Sequence, residues 1–268
     1  MYKVFFIGTG KMASAIAGGI VKSKLFEPSQ IGGFDINEAA ASIFAGATGG
    51  DCFSNKLPLH LEKTETVIIA VKPQVIEKAL APYADSLKNK VIISIAAGVS
   101  IEKLEAITGS KRIIRVMPNT PALVGAGAAV YSVSSGVGKK DVELASKIFS
   151  SVGIALQLSE SYLDAVTAVS GSGPAYVFEF IQAMADGGVA EGLPRDIALK
   201  LAAQTVLGAA EMVLKTGAHP QVLKDNVTSP AGTTSRALEV MAARGFSGVV
   251  IQSVRAAAER SRELGGRK

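Results

Sequence analysis

Hydrophobic positions in the first half of the chain fall into short β-branched runs separated by stretches with apolar residues at helical spacing. Val4–Ile7, Ile31–Asp35, Val67–Val71, Val91–Ile95 and Ile113–Met117 read as buried strands, each short and bounded by turn residues. Between them, Met12–Val21, Glu38–Ala45, Val75–Tyr83 and Ile101–Ile107 read as helices. Strands alternating with helices imply right-handed crossovers and a parallel sheet covered on both faces. Ala128–Val133 and Ala155–Leu158 are further strand candidates flanking a helix around Lys139–Ser150. After about Ser159 the strand signal stops. Tyr162–Val169, Ala175–Glu191, Arg195–Lys215, Thr234–Ala243 and Gly248–Leu264 are helical in pattern, and Pro174, Pro194 and Pro220 sit where a first helical residue tolerates proline. Residues 1–158 are therefore expected to form an α/β domain and residues 159–268 an all-α domain. The Ala, Leu and Val stripes of the second exceed what a small bundle buries within itself, which favours paired bundles from two chains over one compact Ala-rich bundle.

Composition narrows the classes of function. A chain of 268 residues can bury a substantial core. Its net charge of +5 suits anionic ligands, but the cations are scattered apart from Arg255, Arg260, Arg262, Arg267 and Lys268. That cluster fits a solvated last helix with cations at its C-terminus better than a nucleic-acid surface. Cys52 is the only cysteine, which excludes an intrachain disulfide and fits a reducing, cytoplasmic setting. His60 and His219 stand far apart and near no carboxylate cluster, so no metal site is expected. The Val4–Ile7 run is too short for a signal segment, and no apolar run approaches membrane-spanning length.

Candidate chemistry begins at Gly8-Thr9-Gly10-Lys11-Met12-Ala13, between the first strand and the first helix. Gly8 permits the tight turn, Gly10 lets backbone approach a pyrophosphate, and Ala13 lets the helix pack on the strand. With Asp35 ending the next strand, the pattern reads as a dinucleotide turn in a Rossmann-like, mostly parallel sheet. Asp35 is either the acceptor for a ribose 2′-OH, which favours NADH, or an ordinary turn residue before the Glu38 helix. Asn37, Asn55 and Lys56 are alternative receivers of a 2′-phosphate. Ala70-Val71-Lys72-Pro73-Gln74, Ile95-Ala96-Ala97-Gly98 and Met117-Pro118-Asn119-Thr120-Pro121 end three more strands and should line the cofactor path.

In the second half, Lys224-Asp225-Asn226-Val227-Thr228-Ser229-Pro230-Ala231-Gly232-Thr233-Thr234 is a hydroxyl-rich loop broken by Gly and Pro, with a helical pattern following from Ser235. Backbone N–H groups and hydroxyls at a helix N-terminus suit a small carboxylate. Ser170-Gly171-Ser172-Gly173-Pro174-Ala175-Tyr176 opens the main helix, with Ser172 as its N-cap. Glu160 stands at the domain junction and is counted with the substrate residues, although capping or solvent explains it more cheaply.

These motifs together resemble the pyrroline-5-carboxylate reductase family. The likeness rests on Val166–Tyr176, Asp186-Gly187-Gly188-Val189, Gly192-Leu193-Pro194-Arg195, the Lys224–Thr234 run, the Gly8–Ala13 turn, Val71-Lys72-Pro73-Gln74 and Pro118-Asn119-Thr120-Pro121. The resemblance implies reduction of 1-pyrroline-5-carboxylate to L-proline with NADP(H), with NAD(H) as a second cofactor. It implies a homodimer intertwined through the helical domain, often assembled into larger rings, with no nucleic-acid or membrane partner. By position it assigns Gly8, Thr9, Gly10, Lys11, Met12, Asn55, Ala70, Val71, Lys72, Ala97, Asn119 and Asn226 to the cofactor, with Asp35 and Pro73 beside them. Gly232, Thr233 and Thr234 match the substrate-carboxylate loop, with the Thr234 hydroxyl nearest the ring nitrogen as the catalytic group. Phe34-Asp35-Ile36-Asn37 departs from the Ser, Asn or Arg side chains usual after the second strand. Two rival readings are a 3-hydroxy-acid dehydrogenase of similar plan and a non-catalytic nucleotide sensor.

Overall fold

The structure is a computed structural model and describes residues 2–54, 61 and 64–266. Its packing separates two compact units, Met1–Ser172 together with Ala257–Lys268, and Gly173–Ala256. The sheet ends near Ser159, but the residues that follow it up to Ser172 pack with the first unit.

The first unit is built on eight strands: β1 (Val4–Ile7), β2 (Ile31–Phe34), β3 (Asp51–Phe53), β4 (Thr66–Ile69), β5 (Val91–Ser94), β6 (Arg112–Met117), β7 (Gly127–Val133) and β8 (Gly153–Gln157). Their order across the sheet is β3-β2-β1-β4-β5-β6-β7-β8. Every neighbouring pair is parallel except β6 with β7. Successive strands are added outward on one side from β1 to β3 and on the other from β4 onward, so the strand order reverses between β1 and β4, and the carboxyl ends of β1, β2, β4, β5 and β6 share one edge. The helices of this unit are α1 (Lys11–Lys22), α2 (Glu38–Thr48), α3 (Ile76–Leu80), α4 (Ala84–Leu87), α5 (Ile101–Thr108), α6 (Lys139–Ser150) and α7 (Leu163–Val166).

Strand alternation divides the apolar residues into two cores. Val4, Phe6, Ile68, Ile93, Ile114 and Val116 face one layer with Ile16, Phe44 and Phe149. Phe5, Ile7, Val67, Ile69, Ile92 and Ile113 face the other, with Ile76, Leu80, Leu87 and Leu104. Full burial of each such side chain contributes about 1.5–3 kcal/mol, so the sheet unit is self-sufficient.

The expected strands and most helices form, with informative differences. β3 carries no apolar run, with Asp51 exposed and Cys52 and Phe53 only partly buried, so periodicity missed it. The helix expected over Val75–Tyr83 is interrupted, because Pro82 has no N–H to donate and α3 gives way to a 3₁₀ turn at Ala81–Tyr83. Tyr162–Val169 becomes a 3₁₀ turn, α7 and a π-helix over Thr167–Gly171. Ser172 is not an N-cap: it lies in helical backbone (φ −87°, ψ −26°), and its N–H donates to Thr167 O at 2.8 Å.

The Gly173–Ala256 unit contains α8 (Gly173–Ala190), α9 (Arg195–Thr216), α10 (Pro220–Asn226) and α11 (Thr233–Ala243), and most of α12 (Phe246–Leu264). Pro194 precedes α9 as its cap, while Pro220 is the first residue of α10. Among the described residues this unit's hydrophobic core is small: Ala185, Ala198 and Ala202 are buried, with Ile181 and Val189 packed on them. Phe178, Leu201, Leu207, Leu214, Val249 and Ile251 are exposed. By length and composition alone α9 is apolar enough to cross a membrane, contrary to the expectation from the sequence. Lys200, Gln204 and Glu211 interrupt its apolar runs and conceal that character in a linear reading.

Burial of Cys52 on β3 raises its thiol pKa above the usual value, outweighing hydrogen bonds to Thr9 and Phe53 that lower it. The folded chain thus holds the thiol proton at pH values where the unfolded chain releases it. The stability this contributes is intact below the ordinary thiol range and is lost as pH rises through the folded-state value. Native Cys52 should react with iodoacetamide at pH 8 well below the rate of free cysteine, as followed by mass spectrometry. A rate equal to free cysteine in the folded protein contradicts this.

Candidate active site

The dinucleotide turn is shaped by a close approach of two strands. Gly8 has φ +90°, and a Cβ there would meet the Ala70 carbonyl at 2.8 Å and Val71 Cγ1 at 2.9 Å. Only glycine lets the chain leave β1 this close to the end of β4. Gly10 is the opposite case, since a Cβ on it would meet nothing within 4 Å. It is the N-cap of α1, and no side chain caps that helix and no acidic residue lies in its first turn. The N–H groups at this terminus are left for an anion. Lys11 is exposed, Met12 half-buried and Ala13 fully buried against the sheet. Thr9 is buried, and its N–H donates to Asp35 Oδ2 at 2.8 Å.

The other carboxyl-edge residues follow the sheet register. Ala70 N–H donates to Ile7 O at 2.8 Å, carrying the β1–β4 ladder past the strand ends. Val71 is half-buried, Lys72 and Ala97 are exposed, and Pro73 starts a 3₁₀ turn. Beside Gly8 and Asp35 lies a cavity of about 380 Å³, walled by Ile36, Val71, Val75, Ala79 and Tyr83 and by other side chains. Its apolar walls suit a flat aromatic base. Asn55 lies outside the described residues.

Val71 was expected on the cofactor path, whereas Val75, Ala79 and Tyr83, at helical spacing in the expected Val75–Tyr83 helix, carried no site expectation. Their role as a cavity wall was therefore missed.

Asn119, expected at the cofactor, has both ends of its amide engaged. Oδ1 accepts from Ala128 N at 2.8 Å and Nδ2 donates to Ser170 O at 3.1 Å. The side chain ties β6 to β7 and to the π-helix. Glu160 is committed in a similar way: one carboxylate oxygen accepts from Ile101 N at 2.8 Å and from Arg115 Nη1 at 2.7 Å. The Arg115 side chain is only 5% exposed. Beside the substrate role expected for it, Glu160 caps α5 and compensates a buried guanidinium.

In the other unit, Asn226 is the last residue of α10, and Thr233 and Thr234 form the first turn of α11. The loop is therefore only 227–232, shorter than the sequence indicated. Thr228 Oγ1 donates to Lys224 O at 2.7 Å, and Gly232 N–H to Ser229 O at 3.0 Å. Ala231 has φ +55°, a left-handed conformation that costs a non-glycine residue about 1–3 kcal/mol and is typical of functional loops. α11 has no side-chain cap and no acid in its first turn. The hydroxyls of Thr233 and Thr234 make no hydrogen bond among the described residues. His219 is spent on capping α10, accepting from Gln221 N at 3.2 Å. Among the described residues no three His, Cys, Asp or Glu side chains gather as a metal site.

Comparisons with known proteins match the two ends of the chain to separate family models. Residues 160–264 match the family described as pyrroline-5-carboxylate reductase dimerisation, and residues 3–98 match one described as NADP oxidoreductase coenzyme F420-dependent. The pyrroline-5-carboxylate reductase of Arabidopsis thaliana is 47% identical over 265 residues, covering 98% of this chain and 95% of that one. Among solved structures, the Coxiella burnetii pyrroline-5-carboxylate reductase superposes with a TM-score of 0.90 at 33% identity, covering 100% of this chain and 99% of that one. The Plasmodium falciparum pyrroline carboxylate reductase with NADP bound gives 0.86 at 35%, covering 98% of each chain.

Replacing Glu160 tests its assignment. Glu160→Ala strands a buried guanidinium and should cost about 3–5 kcal/mol in denaturant unfolding. Substrate KM should remain near wild type. A raised KM with unchanged stability would return Glu160 to the substrate site.

Proposed function

The chain belongs to the pyrroline-5-carboxylate reductase family, and from that premise we propose how its residues share the reduction of 1-pyrroline-5-carboxylate to L-proline. It is an NAD(P)H-dependent oxidoreductase whose helical segment forms a homodimer. The exposed apolar faces of α8, α9 and α12 are the surface a second copy covers, in preference to a lipid bilayer. We further assign residues 1–158 to dinucleotide binding and 159–268 to substrate binding and dimerisation, with the dimers assembled into a larger ring in the cytoplasm.

Reducing a cyclic imine requires a hydride at carbon and a proton at nitrogen. NAD(P)H supplies the hydride when bound. The uncapped start of α1 and the bare approach to Gly10 hold its pyrophosphate, and the apolar cavity beside Asp35 takes its adenine. Thr9, Lys11, Met12, Ala70–Pro73, Ala97 and the backbone around Asn119 border its path, and Asn226 reaches it from the helical segment. At the start of α11, the N–H groups of Thr233 and Thr234 anchor the substrate carboxylate while the Thr234 hydroxyl orients the imine nitrogen. A protonated imine is already electrophilic, so neither a histidine nor a metal is needed to polarise it. Catalysis comes mainly from positioning.

The observation that carries this reading is the pair of unengaged threonine hydroxyls on an uncapped helix start behind a strained Ala231. A 3-hydroxy-acid dehydrogenase of this plan resembles its relatives in using a helical-domain lysine, and the segment from Gly173 through Glu191 contains none. A nucleotide sensor needs no anion loop.

Thr234→Ala should lower imine turnover roughly tenfold to a hundredfold, the cost of about 1.5–3 kcal/mol for one hydrogen bond to a charged group, and leave dinucleotide affinity nearly unchanged. Wild-type kinetics would remove Thr234 from the mechanism.

We also propose that each site joins one chain's dinucleotide floor to its partner's α11 loop. Gly10→Asp puts an anion where the pyrophosphate lies, in space no protein atom occupies. Refolded together, Gly10→Asp and Thr234→Ala chains should form hybrids with one intact site, recovering up to about half the activity per hybrid by two-fold symmetry. Labelled hybrids with no gain over the parents' summed activity would place each site within a single chain.

A further inference from the structure

We infer that the turn after β2 makes this chain discriminate against the 2′-phosphate, so that it binds NADH more tightly than NADPH, with Asp35 as the specificity-determining residue. The inference rests on the cavity beside Gly8 being the adenosine site.

Asp35 is held from two sides. Oδ2 accepts the Thr9 N–H at 2.8 Å and lies 3.4 Å from Thr9 Oγ1, while Oδ1 accepts the Asn37 N–H at 2.9 Å. A carboxylate fixed this way cannot swing aside for a second anion without releasing the dinucleotide turn itself. An ionised carboxylate offers about four acceptor positions, so Oδ1 keeps capacity for a ribose hydroxyl. Asp35 is only partly buried and lines the cavity, so that capacity is accessible.

The neighbouring donors are also taken. The backbone N–H groups of Ala39 and Ala40, at the start of α2, both donate to Asn37 Oδ1, at 3.0 and 3.2 Å. Glu38 adds a second acidic residue in the first turn of α2. Among the described residues lining the cavity, the only cation is Lys78, and it comes from α3 rather than from this turn. Among the described residues, a 2′-phosphate therefore meets a pinned carboxylate, a second acid and a helix start whose Ala39 and Ala40 N–H groups are already engaged. A 2′-hydroxyl meets an acceptor.

Equilibrium binding of NADH and NADPH to the intact protein, by calorimetry without substrate, tests this. NADH should bind at least about tenfold more tightly, the effect of one like-charge contact at a partly exposed site. Raising ionic strength should narrow the gap, because repulsion between partly exposed charges is screened. Asp35→Asn keeps an acceptor for one of the N–H groups but removes the charge, and it should shrink the NADH:NADPH affinity ratio about tenfold. Asp35→Ser should shrink the ratio equally but weaken both cofactors, because the clamp on Thr9 is lost. If wild type binds NADPH as tightly as NADH, or if Asp35→Asn leaves the ratio unchanged, the specificity inference fails while the dinucleotide site stands. If neither cofactor binds, the adenosine-site reading fails with it.

Discussion

The helical segment cannot bury its own apolar surface. Inside the Gly173–Ala256 unit the hydrophobic core rests on Ala185, Ala198 and Ala202, among the smallest side chains available. Leu199, Leu201, Leu207, Met212 and Leu214 along α9 are all exposed. Each large side chain left in water forgoes about 1.5–3 kcal/mol, so a single copy of this unit lacks much of the stabilisation that holds a small domain together. The sheet unit differs, because strand alternation gives it two filled cores. Association is thus a condition of stability for one half of the chain only. The half that needs it carries the proposed substrate loop.

That arrangement explains how so few ionisable groups suffice. Gly8, Gly10 and the uncapped start of α1 are backbone devices, and so are Gly232 and the uncapped start of α11. In the proposed function both bind anions through N–H groups that a helix terminus leaves over. The charged side chains near these features serve the scaffold: Glu160 compensates Arg115, and Asp35 clamps Thr9. Chemistry on an imine that is already electrophilic can be left to positioning. Positioning in turn depends on how firmly the two helix starts are held.

Much of this was legible in the sequence. The strands were clear because buried parallel strands are continuous apolar runs, and the Gly8–Ala13 turn was clear because only glycine fits beside Ala70. β3 was not, since one exposed and two half-buried residues produce no period. Glu160 and Asn119 could not be resolved either: their partners, Arg115, Ile101, Ala128 and Ser170, are mostly distant in sequence and meet only after folding. The helical pattern of Val75–Tyr83 was visible, but spacing alone does not tell a face packed in a core from one that walls a cavity. The position of Asp35 was evident, whereas its two N–H partners were not. Those partners fix the carboxylate beside the cavity.

The central claim is that the helical segment is stable and competent only when a second copy covers it. Serial dilution, with oligomeric state followed by analytical ultracentrifugation alongside imine turnover and amide-exchange protection of α8 and α9, tests it most directly. The account predicts that dimer, activity and protection are lost together over one concentration range, while protection of β1, β4 and β5 persists. A monomer that keeps full turnover and protected α8 and α9 amides would contradict it.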